Sequence, residues 1–224
     1  MKVNTNFSHQ LILYVMGLFI LAIGSNLFIN ANLGVSPSCT LALTLSYLFP
    51  FGSYAIFNFI TNGILLILEA VLIRKLSKTQ AVQLALIFLY SIFIQMVSPL
   101  LEVIKPDTLF LQLLTVLLAC FIMAIGSSLT IASNFTVLPM EGFVGVIAAM
   151  KRKEFGAIRI KVEVIMTLGV AIFSLLTLHN LSSIGIGTIL AAYFTGRITI
   201  WFTSTFRHQL DLFIGHTKAP LKAI

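Results

Sequence analysis

Apolar residues run along this chain in long, nearly unbroken stretches instead of alternating with polar ones. Crossing a bilayer as helix takes about 20 such residues. Six stretches reach that length: Leu11 to Ala31, Tyr54 to Ile73, Ala81 to Leu101, Leu109 to Ile131, Ile158 to Leu178 and Ile184 to Phe202. Two shorter segments, Pro37 to Leu48 and Pro139 to Met150, predict helices of roughly 18 Å, little more than half the hydrocarbon thickness. They are expected as half-helices.

The polar positions inside these stretches recur. Phe19-Ile-Leu-Ala-Ile-Gly-Ser-Asn-Leu-Phe-Ile-Asn-Ala-Asn-Leu-Gly-Val-Ser-Pro37 returns 102 residues later as Phe121-Ile-Met-Ala-Ile-Gly-Ser-Ser-Leu-Thr-Ile-Ala-Ser-Asn-Phe-Thr-Val-Leu-Pro139, with eleven of nineteen positions identical. The identities include Gly24/Gly126, Ser25/Ser127, Asn32/Asn134 and Pro37/Pro139, so shared oiliness does not explain them. A duplicated membrane module is implied, an architecture common among transporters. Phe51-Gly52 also returns as Phe155-Gly156, which carries the duplication past the first helix.

Composition agrees with the pattern. At 58% hydrophobic and 9% charged residues, with 19 Phe, the chain would expose far too much apolar surface in water. One membrane domain spans 1–224, with repeat one at 11–104, repeat two at 108–206 and a polar tail at 207–224 that is too short to fold alone. Met1 to Ala31 has the basic-then-apolar order of a signal peptide, but half of the repeat lies in it, which argues against its removal. Cys39 and Cys120 lack the spacing of a disulfide or metal pair and read as small packing residues.

Charge orients the modules. Basic residues cluster at Arg74, Lys75 and Lys78, at Lys151 to Lys161, and at Arg207, Lys218 and Lys222; the positive-inside rule puts all three in the cytoplasm. Two full helices and the Pro139 segment separate the first two clusters, so that segment must enter and leave on one face. By the same parity the Pro37 segment dips in from outside and returns there. The expected fold class is therefore an all-α polytopic membrane protein of two inverted repeats, each three transmembrane helices plus one short re-entrant half-helix. Both termini are expected in the cytoplasm, and twelve of the fourteen basic residues lie inside, leaving Lys105 outside and Arg197 within a span.

Candidate chemistry gathers at the two breaks. Irregular backbone at membrane depth is tolerated only where protein or a water-filled cavity satisfies it. Proline suits the first turn of a helix, so Pro37 and Pro139 each start a half-helix. The free N–H groups and positive ends of those helices favour an anionic or carbonyl-bearing solute. Asn32, Ser36, Ser38 and Thr40 in the first module, with Asn134, Thr136 and Glu141 in the second, are candidates to line a solute path. The bland alternative is that the asparagines cap helix ends, the hydroxyls bond to backbone, and Glu141 serves the positive end of its own helix.

Where the copies diverge, selectivity can begin. Asn58 and Asn62 mark the third segment of the first module, whereas Arg159, Lys161 and Glu163 occupy the corresponding part of the second; Arg159 and Glu163, four apart, can pair locally. Arg197 is costly inside a span and is expected to pair with Glu163, with snorkelling toward Trp201 as the alternative. Gly185, Gly187, Gly196, Ala191 and Ala192 make a small-residue surface suited to close packing.

The A-I-G-S-x-L-x-I-x-x-N-x-x-V-x-P blocks, the Phe-Gly turn, the Arg159/Glu163 pattern and the final G-I-G-T stretch together resemble the YczE/YitT-like family of bacterial multipass membrane proteins, more closely its YczE branch. The resemblance covers roughly Leu11 to Trp201. It departs at Thr136, which stands where the first block has Gly34. It implies a bacterial plasma membrane location and supplies neither a substrate nor site residues.

Two functions remain open. The first is a small-solute transporter or channel with a path between opposed half-helices; the second is a non-transporting membrane partner, such as the substrate-binding subunit of an energy-coupled transporter or an accessory protein in export or envelope biogenesis. The partners expected are the lipid bilayer and a small solute, with a homo-oligomer or a partner subunit left open and no nucleic acid. No H-E-x-x-H, G-x-S-x-G or Walker loop is present, so no enzyme, metal or cofactor is expected.

Overall fold

The computed structural model describes residues 7–74 and 78–214, all of whose regular elements are helical. They are α1 (Phe7–Ala31), a 3-10 turn (Pro37–Cys39) leading into α2 (Thr40–Leu48), α3 (Tyr54–Ile73), α4 (Lys78–Leu101), α5 (Leu109–Ala132), α6 (Pro139–Lys151), α7 (Phe155–Leu178) and α8 (Ile186–Ile214). Among the described residues five helices, α1, α3, α4, α5 and α7, are long and apolar enough to cross a membrane. The sixth stretch expected to do so lies in α8, where Arg197 and Thr188, Thr195, Thr199 and Thr203 dilute the apolar run. Residues 207–214 of the expected tail continue this helix. The rest of the tail, with Lys218 and Lys222, and Lys2 and Lys75 of the basic clusters, lie outside the described residues.

The core is the seam between α1 and α5, the two copies of the repeated block. A Cβ added at Gly17 would meet Thr130 Cγ2 at 2.7 Å and Gly126 O at 2.9 Å, whereas one at Gly24 would meet Met123 and Ala119 O. Seven residues forward on α1 are thus seven residues back on α5. The two helices run antiparallel, and their backbones approach too closely for any residue but glycine at these positions.

Around this seam the modules exchange contacts in pairs. α4 packs on α1 as α8 packs on α5, and α3 packs on α6 as α7 packs on the 3-10 turn and α2. One pair of polar side chains repeats the exchange in detail. Asn26 Nδ2 donates to Ala22 O (2.9 Å) and across to Ile94 O of α4 (3.2 Å), and the single hydroxyl proton of its counterpart Ser128 is shared between Ala124 O (2.7 Å) and, across, Thr199 O of α8 (3.2 Å). A side-chain bond to a neighbouring helix backbone holds two helices in register where the hydrophobic effect between them is weak. One partnership is missing from the second module: α3 and α4 pack side by side, and α7 and α8 have no comparable contact.

Both short segments have the expected extent. α6 begins at Pro139, and the first half-helix begins at Pro37 as a single 3-10 turn before becoming α-helical at Thr40. The Phe-Gly dipeptides are not equivalent turns: Phe51-Gly52 precedes α3, whereas Phe155-Gly156 is the first turn of α7.

Candidate functional site

Each break opens in the same way. α1 and α5 stop at Asn32 and Asn134, left-handed residues with φ of 54° and 51°, a conformation that asparagine tolerates better than most residues. Asn32 N bonds to Ile29 O at 3.1 Å and Asn134 N to Ile131 O at 3.3 Å. Both asparagines are exposed at helix ends. Since α1 and α5 are antiparallel, the breaks lie at opposite ends of the seam; the ring of Phe135, next to Asn134, packs on Phe7 and Tyr14 near the start of α1.

After the asparagine the copies part. In the first break Gly34 has φ of 91°, and a Cβ there would lie 2.5 Å from Gly185 N. Backbone bonds clamp this loop to the start of α8, from Val35 N to Ser183 O (3.2 Å) and from Gly187 N to Leu33 O (2.8 Å). In the second break a side chain does this work: Gln83 Nε2 of α4 donates to Val137 O at 3.0 Å. The loop is less tightly held, and Thr136 fits where Gly34 stands in the first copy.

Each break borders a cavity. One of about 330 Å³ is lined by Asn32, Leu33, Gly34, Leu181, Ser182 and residues 184–186. The other, of about 320 Å³, is lined by Ser127, Thr130, Ile131, Asn134, Thr136, Val137, Leu138 and Glu141. The second has charge at its edge. Glu141, in the first turn of α6, lies 3.6 Å from Arg159 Nη1 of α7, while Arg159 Nε donates to Glu163 Oε1 at 2.9 Å. Glu141 Oε2 and Thr136 Oγ1 have no hydrogen-bond partner. Glu69 of α3, 7% exposed, lays its carboxylate against Gly142 of α6, and its Oε2 is also unpartnered.

Beside the start of the first half-helix lies a neutral polar cluster. Ser25 Oγ and Tyr90 OH share a 2.7 Å hydrogen bond. The Tyr54 hydroxyl is buried beside Cys39, Ser25 and Tyr90 yet reaches none of them in good bonding geometry.

Of the residues expected to line a path, Asn32 borders the first cavity and Asn134, Thr136 and Glu141 the second. The others are engaged elsewhere. Thr40 is fully buried and donates to Pro37 O at 2.8 Å, and Ser36 bonds Ser38 at 3.1 Å. Asn62 donates to Asn58 O at 2.8 Å and to Asn58 Oδ1 at 3.2 Å, while Pro37 and Pro139 serve as buried helix starts. The expected Glu163–Arg197 pair does not form. Glu163 is taken by Arg159 on its own helix, and Arg197 is exposed on α8, 3.7 Å above the Tyr193 ring; α8 packs on α5 and not on α7, so the two charges never face each other. Cys39 and Cys120 are both buried free thiols.

Sequence reasoning passed over Glu69, Ser25, Tyr54 and Tyr90. Glu69 carried a readable signal, a carboxylate inside an otherwise apolar span. The tyrosines carried none, since an intramembrane tyrosine looks alike whether it packs or bonds.

Residues 8–204 match the model of a family of unknown function (DUF6198). No curated protein and no solved structure matches the chain. With nearly its whole length matched, the chain belongs to that family.

Proposed function

We propose that this family member is a small-solute membrane transporter or channel, built from two inverted modules whose half-helices start on either side of a polar centre. The observation that carries this reading is the pair of cavities of similar volume, one at the break of each module, with a buried polar cluster of Ser25, Tyr54, Cys39 and Tyr90 at the start of the first half-helix. Alternating access needs a central site reached in turn from each side, and these two cavities lie at opposite ends of the antiparallel pair.

The inverted arrangement draws support from the antiparallel α1 and α5, since two copies of one block that run in opposite directions make their modules opposite in orientation. It requires α8 to cross the bilayer with the five more apolar helices. The shared side of the termini is supported by His9, near the start of α1, which stacks on Phe213 near the end of α8 at 5.1 Å. If Arg74 and Lys151 to Lys153 share that side, as charge parity expects, the positive-inside rule makes it cytoplasmic. A bacterial plasma membrane and the YczE branch rest on the motif resemblance alone.

The second reading, a non-transporting membrane partner, has one observation in its favour. α7 is the least buried of the five apolar helices and lacks the neighbour that α4 gives α3, which leaves a face for another subunit.

Flux through liposomes containing only the purified chain separates the readings. Uptake of some member of a panel of labelled amines, amides and carboxylates above that of protein-free vesicles is expected; none across the panel would favour the partner. Glu154→Cys and Asp107→Cys should react with an impermeant maleimide from opposite sides, the first from the cytoplasmic face. Labelling of both from one side would defeat the inverted topology.

A further inference from the structure

We propose that the cavity in front of α6 selects a small organic cation, an alkylammonium or guanidinium group, and that Glu141 is the residue that binds it. This rests on reading that cavity as a solute site, and it replaces the anion that bare half-helix ends would favour.

Among the residues lining the cavity, Glu141 is the ionisable one. Its neighbour Arg159 does not neutralise it fully. The guanidinium is bonded to Glu163 at 2.9 Å and reaches Glu141 Oε1 only at 3.6 Å, beyond hydrogen-bond range. One cation is therefore shared between two carboxylates, and Glu141 Oε2 is left with no partner. An unmatched carboxylate oxygen beside a cavity is costly unless a donor comes to it.

The remaining lining hydroxyls offer acceptor lone pairs as well. Thr136 Oγ1 is unpartnered. Thr130 spends its proton on Ser127 O at 2.9 Å, which leaves the lone pairs of its hydroxyl free. An ammonium or guanidinium supplies several donors and no acceptor, which the Glu141 carboxylate and these lone pairs can take up. An anion meets the opposite situation, because the positive end of α6 is already served by Glu141 in its own first turn.

The first module is the internal control. The position that matches Glu141 across the repeat is Cys39, and the residues around the cavity at Asn32 include no ionisable side chain. Charge selection is thereby confined to one end of the path, and the other end stays neutral.

Isothermal titration of the purified protein in detergent with methylammonium chloride, guanidinium chloride, acetamide and sodium acetate tests this. The two cations should bind and acetate should not. Glu141→Gln should weaken methylammonium about tenfold or more, the loss expected for a charge-assisted bond, and Thr136→Val should weaken it severalfold. Glu141→Gln keeps Arg159 paired with Glu163, and an unchanged melting temperature would show that the site and not the fold was altered. Undiminished methylammonium binding by Glu141→Gln, preferential binding of acetate, or no binding of either cation by the wild type would overturn the proposal. Failure of transport reads differently: if methylammonium binds and nothing crosses liposomes, the cation site stands and the transporter reading falls. If acetamide or acetate crosses and methylammonium neither binds nor crosses, the reverse holds.

Discussion

At the break after α1, Gly34 lies against the backbone of Gly185, and two backbone hydrogen bonds tie its loop to the start of α8. At the break after α5, the matching position is Thr136, with a free hydroxyl beside a cavity and Gln83 as the tie. The first half-helix then sets Cys39 beside Tyr54 of α3, and the second sets Glu141 near Arg159 of α7. One inherited sequence block has thus produced a rigid, neutral break and a looser, charged one. The close antiparallel approach of α1 and α5 needs the glycines of the seam, whereas the loops that follow are free to differ.

The difference at positions 34 and 136 should be the largest to measure. Gly34→Ala forces a side chain into a left-handed conformation and against a backbone, and should cost about 3 kcal/mol or more. Thr136→Gly, its mirror, should cost about 1 kcal/mol or less. Melting in detergent followed by size-exclusion fluorescence gives both values, and equal losses would mean that the two loops are held alike.

A smaller contrast concerns the arginines. Arg159→Met strips two carboxylates of their cation and should cost about 1–3 kcal/mol, less than a fully buried pair because the Arg159 side chain is 37% exposed. Arg197→Met loses a contact with Tyr193 that is worth about 0.5–1 kcal/mol. Were Arg197 the costlier of the two, its charge would face a partner that the isolated chain does not supply.

The smallest effect tests the symmetric part. Asn26→Ala and Ser128→Ala each remove one bond to the neighbouring helix and should each cost about 0.5–1 kcal/mol. If only one of the two were destabilising, the docking of α4 on α1 and of α8 on α5 would not be equivalent.

Much of this was legible beforehand where a single local rule governs. Helix lengths follow from apolar run length, and the half-helices could be placed because proline fixes a first turn. The local Arg159–Glu163 pair follows from spacing on one helix. Arg197 was misread because its partner depended on which helix α8 would pack against. Depth along a span can be counted in residues, but the face that a neighbour covers cannot. Glu69 was overlooked although its charge in an apolar span was visible, since its meaning depends on Gly142 lying opposite.

By itself, then, the sequence determined the solvent, the duplication and the positions where helices stop, because these depend on apolar content, on identity between two blocks, and on the backbone limits of proline and asparagine. Tertiary structure alone decided that α1 and α5 meet through glycine, that Tyr54 and Tyr90 gather beside Ser25 and Cys39, and that Arg159 divides itself between Glu141 and Glu163. Each of these depends on distances between segments far apart in the chain, which packing sets and local pattern does not.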